Sequence, residues 1–279
     1  MSLVCIEREA DWWAPWREGE TARLWQGRIP LLLSLPHDGA ELPPAEAARL
    51  DPGAADFPDT DWHVSRLYDF AREMGAYVLR PRYSRYLIDL NRPADGAALY
   101  PGRTETGLCP LQRFDGGPVW RDGMAPTANE IAARLERYWQ PYHRALRDTL
   151  DSLRAQHARV LLWDGHSIRG HCPMFFDGKL PDYNLGTADG RSCAAELRQA
   201  LAECMATLAL DHVLDGRFKG GHITRHYGQP ERGIHAVQME LVQSTYMDEA
   251  PPYAYAPDRA GITAAALRAL LARALEWLG

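Results

Sequence analysis

Residues 160–171 read VLLWDGHSIRGH. Val160–Trp163 has the length and the β-branched and aromatic content of a buried strand, and Asp164, Gly165, His166 and Ser167 follow at once. The pattern predicts a strand ending at Trp163, with His166 delivered where the chain leaves a sheet and Gly165 permitting the tight exit. The arrangement recurs. Pro30–Leu35 (PLLLSL) runs into Pro36, His37, Asp38 and Gly39, and His235–Val242 (HAVQMELV) alternates apolar residues with Gln238 and Glu240, as a strand beside a polar cleft would.

Working outward, the apolar spacing of Val64, Leu67, Tyr68 and Ala71 predicts a helix over Trp62–Met74, stopped by Gly75. Ala76–Arg80 and Tyr86–Leu90 read as strands. Thr127 and Glu130 have capping-box spacing and open a long helical pattern through about Gln156, interrupted near Pro141. Ser192–Leu208 and Ile262–Leu278 are Ala/Leu-rich helices. This alternation predicts an α/β fold, and the lack of any linker or repeat in 279 residues predicts one domain spanning 1–279. Tyr100–Pro126 is rich in glycine and proline without a period; so long an irregular segment is usually functional, which makes it a candidate lid.

Composition excludes several classes. With 46% hydrophobic and 24% charged residues the chain is ordinary globular protein, and a net charge of −6 disfavours nucleic acid as a partner. Met1–Ala10 has no sustained apolar region, and no apolar run is long enough to span a bilayer, so neither a secretory leader nor a membrane partner is expected. The five cysteines are scattered without metal-binding spacing, which fits unpaired thiols in a cytoplasmic protein. Nothing fixes the oligomeric state.

Ligands of open α/β sheets bind at the carboxyl ends of strands, so His37, His166 and Glu240 are the first candidates for chemistry. Asp38, Asp59, Asp61 and Asp164 lie nearby in sequence. Two histidines and a carboxylate, with one position left for water, make a hydrolytic zinc site, whereas one such histidine alone would often only bond backbone. A separate carboxylate must then carry the proton to the leaving nitrogen, and Glu240 is the candidate. A purely structural Glu240 would need a cation such as Arg225 or Lys219 beside it. Arg85, Arg92 and Arg225 follow tyrosine- and glycine-rich turns and suggest an acidic substrate, since guanidinium groups pair with carboxylates through two planar hydrogen bonds. Arg82 reads as a surface charge. Ser167 lacks a GxSxG setting and is not taken as a nucleophile.

The ordered motifs SLPHDG, DTDWHVSRLYDF, SRYLIDLNRP, WDGHSIRG, LPDYNLGTADGRSC, GRFKGGHITRHYG and HAVQMELVQSTYM, from about Leu31 to Tyr246, resemble the N-formylglutamate amidohydrolase family, in particular its deformylases of histidine degradation. The resemblance implies a mixed, mainly parallel sheet flanked by helices, similar to zinc carboxypeptidases and aspartoacylases. It also implies a zinc amidohydrolase that cleaves N-formyl-L-glutamate. A deacylase for another N-acyl acidic amino acid is the nearest alternative, and a non-catalytic acid-binding protein a more distant one. By position, His37 and His166 fall on the metal ligands. Ala40 stands where the carboxypeptidases carry the acidic residue of HxxE, so the third ligand must come from elsewhere; Asp61 is the choice and Asp59 the reserve. Asn91 and Arg92 match a pair that holds a substrate carboxylate.

Overall fold

Leu31, Leu32 and Leu33 are fully buried, as consecutive residues are in a strand covered on both faces. In the computed structural model, which describes residues 4–7, 12–99, 102 and 104–279, that strand lies inside one eight-stranded sheet. The strands are β1 (Val4–Glu7), β2 (Ala22–Trp25), β3 (Leu31–Ser34), β4 (Tyr77–Pro81), β5 (Val160–Ile168), β6 (Tyr183–Gly186), β7 (His212–Leu214) and β8 (Ile234–Val242). Their order is β1-β2-β4-β3-β5-β8-β6-β7. Only β2/β4 and β6/β8 pair antiparallel, so the sheet is mixed and mainly parallel, as expected.

The helices are α1 (Pro44–Ala47), α2 (Val64–Leu67), α3 (Phe70–Met74), α4 (Ala128–Arg134), α5 (Gln140–Arg154), α6 (Ala195–Ala206), α7 (His222–Tyr227) and α8 (Pro257–Leu278). Strand periodicity sorts them into two layers. Leu31, Leu33, Leu161, Trp163, Val237 and Met239 face α2, α3, α6 and α8. Leu32, Val160, Leu162 and Ala236 face α5 and α7. The same alternation carried along β5 and β8 puts Asp164, His166, Gln238 and Glu240 on the α5/α7 face. No helix among the described residues is long and apolar enough to cross a membrane. All five cysteines are free.

The strand limits differ from expectation in an instructive way. β5 does not end at Trp163: it continues through Ile168, buried throughout, because Asp164, Gly165, His166 and Ser167 pair with Gln238, Met239, Glu240 and Leu241 of β8. Backbone pairing across the sheet overrides the polar side chains, which are held by partners of their own. Gly165 is therefore not an exit turn. A Cβ there would stand 2.8 Å from Leu35 Cδ2 and 3.2 Å from Tyr68 Cε2, so its missing side chain makes room for the opposite layer.

Tyr86–Leu90 is not a strand but a buried turn, whose carbonyls are taken by other groups: Arg134 donates to the Leu87 oxygen and His143 is bonded to the Leu90 oxygen. The helix expected over Trp62–Met74 is two short ones, with Tyr68 buried at the break and its hydroxyl accepting from Trp163 Nε1, and Gly75 at φ +93° ending the second. The capping box of Thr127 and Glu130 is present. The interruption near Pro141 is a π-helical turn over Leu135–Trp139, which accommodates a proline with no N–H to offer the preceding turn. Of Tyr100–Pro126, the described part has no helix or strand of its own, and Tyr100, Pro101 and Arg103 lie outside the described residues, as do Met1–Leu3 and Arg8–Ala10 of the N-terminal stretch.

Candidate metal centre and substrate cleft

The chain leaves β3 toward β4 on one side of the sheet and reaches β8 and β6 from β5 on the other. The neighbours β3 and β5 thus flank a topological switch point, where an open sheet leaves a crevice at its carboxyl edge. His37 sits just past β3, His166 lies in the last turn of pleat of β5, and Asp61 comes from the loop before α2, where its N–H donates to the His37 carbonyl.

His166 Nδ1 is 3.1 Å from His37 Nδ1 and 3.3 Å from Asp61 Oδ2, and His37 Nδ1 is 3.7 Å from the same oxygen. Two ligand atoms on a tetrahedral zinc with ordinary bond lengths stand ~3.3 Å apart. All three residues are buried, and they form a group whose donor atoms converge well enough to hold a metal ion. The geometry thus brings together His37, Asp61 and His166. Asp59 is turned away, its Oδ2 accepting from the Tyr86 hydroxyl and the Phe114 N–H. Asp38 is turned away too, toward the Ser65 N–H and Arg80.

The far side of each imidazole is held by a carboxylate. His37 Nε2 lies 2.6 Å from Asp89 Oδ1, which also accepts the Asn91 N–H. His166 Nε2 lies 3.1 Å from Asp164 Oδ2, an oxygen that also accepts from the Asn91 amide and the Thr224 hydroxyl. An ionised carboxylate only accepts, so each Nε2 carries the proton and each Nδ1 turns a lone pair toward the other and toward Asp61. Three inward lone pairs repel unless a positive charge lies among them.

The electrostatics agree. Burial works against ionised Asp61 and Asp89, yet both are held below the ordinary carboxylate range, Asp61 by the two imidazoles and Asp89 by His37 and Arg85. Burial likewise opposes an imidazolium at His166, but Asp164 and Asp61 lift it well above the usual value. The centre therefore favours a cation, which fits a divalent metal ion as readily as protons.

Glu240 faces His166 across the β5/β8 ladder and is buried, with Oε2 3.0 Å from Gln238 Nε2. Burial, reinforced by Asp61, pushes its carboxyl up to about 8 despite the opposing His166. Gln238 in turn accepts the Gly221 N–H, and a Cβ on Gly221 would fall 2.4 Å from Asn91 Nδ2, so only glycine lets this loop close on the site. Ser167 gives its N–H to Asp61 and accepts from the Tyr246 hydroxyl; no histidine is bonded to its Oγ.

A cleft of about 580 Å³, open solvent included, lies beside the centre. His37, His166, Glu240, Arg85, Asn91 and Arg92 are among the residues that line it. Arg85 is buried, with Nη2 2.7 Å from Asp89 Oδ2 and its guanidinium over the Phe114 ring. Arg92 is braced by the carbonyl and hydroxyl of Thr106. The Asn91 amide is engaged within the protein: its oxygen accepts the Ile223 N–H and its Nδ2 donates to Asp164, the carboxylate that holds the His166 ring.

The structure does not bring every expected residue to the cleft. Arg225 is not among the lining residues; it sits in the last turn of α7, where its Nε donates to the Gly220 carbonyl. Lys219 pairs with Asp189 rather than Glu240, and Arg82 pairs with Glu41. Arg217 and Phe218 line the cleft instead, with Thr104, Glu105 and Phe114 from the irregular segment. Asp89, Gln238 and Arg217 were missed. An acidic residue inside the apolar LIDL run was the available signal for Asp89, the same signal that marked Glu240; nothing local marks Arg217.

Fold and centre together define an α/β protein with a candidate metal site at the sheet's switch point and an arginine-lined cleft beside it. Residues 29–247 match the family model described as N-formylglutamate amidohydrolase. The chain is 54% identical over 253 residues to an N-formylglutamate deformylase of Pseudomonas aeruginosa, covering 90% of this chain and 95% of that protein. It is 53% identical over the same length to an N-formylglutamate deformylase of Pseudomonas putida, covering 90% and 94%. The chain belongs to the N-formylglutamate amidohydrolase family. The crystal structure of an N-formylglutamate amidohydrolase from Ralstonia eutropha JMP134 shares the fold, with a TM-score of 0.77 at 22% identity over 92% of this chain and 97% of that one.

Proposed function

We propose that the protein is a zinc-dependent deformylase that hydrolyses N-formyl-L-glutamate to L-glutamate and formate, the closing step of a histidine-degradation route. The observation that carries this reading is the convergence of His37 Nδ1, His166 Nδ1 and Asp61 Oδ2 beside an arginine-lined cleft, in a chain over half identical to deformylases of that name. One sheet containing all eight strands supports treating residues 1–279 as one working domain. Five free thiols favour a cytoplasmic setting.

His37, Asp61 and His166 would hold the ion, with Asp89 and Asp164 fixing the two imidazoles. When bound, zinc would supply Lewis acidity toward the formyl carbonyl and lower the pKa of water toward ~7. Glu240 takes the proton of the attacking water as the new C–O bond forms, and returns it to the amide nitrogen as the C–N bond breaks. Burial raises this carboxyl in the metal-free centre, a bound cation beside it would favour the ionised form that accepts the proton, and an amide nitrogen leaves poorly without that proton. Arg85, steadied by Asp89, offers positive charge to the formyl oxygen. Arg92 presents its fork to a substrate carboxylate.

Formate release from N-formylglutamate, with N-acetylglutamate and N-formylaspartate alongside, tests the proposal, as does zinc content. The expected result is metal-dependent release that is fastest with N-formylglutamate. Faster turnover of the acetyl compound would point to the related deacylase, and tight substrate binding without turnover in metal-loaded protein would make it an acid-binding protein.

A further inference from the structure

β8 carries two polar residues that line the cleft, Gln238 and Glu240, two positions apart and so side by side on one face of the pleat. Across the ladders Gln238 stands between Asp164 of β5 and Gly186 of β6, and Glu240 stands between His166 and Asn184. A Cβ on Gly186 would fall 2.7 Å from the Gly220 nitrogen and 2.7 Å from the Lys219 carbonyl carbon, so its bare backbone lets the turn at 218–221 lie against the sheet. That brings the Gly221 N–H onto Gln238 Oε1, at 2.7 Å.

A backbone N–H can only donate, so it fixes the direction of the Gln238 amide, with its oxygen on Gly221 and its Nε2 on Glu240 Oε2. Nε2 can only donate in its turn, and Oε2 must accept. A carboxyl oxygen that carries a proton is the poorer acceptor, so this bond keeps Oε2 bare. Among the described residues no N–H or hydroxyl bonds the other oxygen, Oε1, and the proton is left to it. We infer that Gln238 is a positioning residue for the proton transfer, an inference that rests on the deformylase reading. It holds Glu240 through Oε2, so that Oε1 takes the proton of the attacking water as the C–O bond forms and delivers it to the amide nitrogen as the C–N bond breaks. A carboxylate free to rotate would present either oxygen in many directions. A donor locked by the backbone of another segment removes that freedom before the substrate arrives.

Removing the amide while keeping its bulk tests this in the zinc-loaded protein. Gln238→Met lowers kcat for N-formylglutamate by about 10- to 100-fold, the range for a lost hydrogen bond to a charged group, while KM stays within about threefold and zinc content matches the parent. The same substitution placed on Glu240→Gln costs the residual rate less than about threefold, because Gln238 acts only through the carboxylate that is already gone. A residue that merely props the glycine turn would instead raise KM and lower the rate by the same factor in both backgrounds. Gln238→Asn, one methylene too short to span the Gly221 N–H and Glu240, behaves as Gln238→Met and carries the test should the methionine variant not fold. An unchanged kcat in the folded variant, or equal losses with and without the Glu240 carboxylate, overturns the assignment while the parent's turnover keeps the deformylase reading intact. A zinc-loaded parent that releases no formate from N-formylglutamate overturns both.

Discussion

Replacing Glu240 by glutamine should make the metal-free protein more stable and the metal-loaded protein nearly inactive. The carboxyl is buried, and its pKa is pushed from an ordinary 4.5 up to about 8, burial being the largest cause. A folded-state pKa above the unfolded value means that the native state holds the proton more tightly. Its stabilising share is complete below about pH 4.5 and is lost as pH rises toward about 8. At pH 7 the unfolded carboxyl has released its proton while the folded one is still paying to keep it; at roughly 1.4 kcal/mol per pH unit the penalty is about 3 kcal/mol. Glutamine carries no such charge, fills nearly the same volume, and can turn its oxygen to the Gln238 Nε2 that now donates to Glu240. Denaturant unfolding of chelator-treated parent and variant at several pH values should show near-equal stabilities at about pH 4 and a gap opening to about 3–4 kcal/mol in favour of the variant by pH 7–8. In the zinc-loaded form kcat should fall by roughly two to four orders of magnitude, since the amide cannot accept the water's proton. A variant less stable than the parent at pH 8, or one whose kcat stays within a few-fold, would refute the reasoning.

His37→Ala and His166→Ala should each lose most bound zinc in a metal assay of folded protein, with Asp61→Ala ranking above Asp59→Ala in that loss; full occupancy in any of the first three excludes that residue as a ligand. Gly165→Ala places a Cβ 2.8 Å from Leu35 Cδ2 in the fully buried middle of β5, and should cost about 1–3 kcal/mol in denaturant unfolding, with no loss of stability showing the site to be looser than the packing indicates.

Much of the site was legible because catalytic chemistry restricts residue types. His37 and His166 follow apolar runs, Glu240 interrupts one, and a charged or metal-binding group beside leucines and valines demands an explanation that few roles supply. The α/β alternation was legible for a similar reason, since periodicity, capping box and glycine stops are local properties of the chain. The choice between Asp59 and Asp61 was not local. Both sit in DTDW, two residues apart, and only the packing of Tyr86 and Phe114 against one and of the two imidazoles against the other separates them. The end of β5 was misread because polar residues inside a strand are tolerated when another strand pairs with their backbone, and that strand, β8, lies about seventy residues away in the sequence. Arg217 and Arg225 look alike in sequence, each beside a glycine turn, yet one lines the cleft and the other bonds a carbonyl outside it. The sequence by itself determined which kinds of group are present and which element carries each; tertiary structure alone decided which of them meet, because a side chain's direction at a turn depends on what the rest of the chain packs around it.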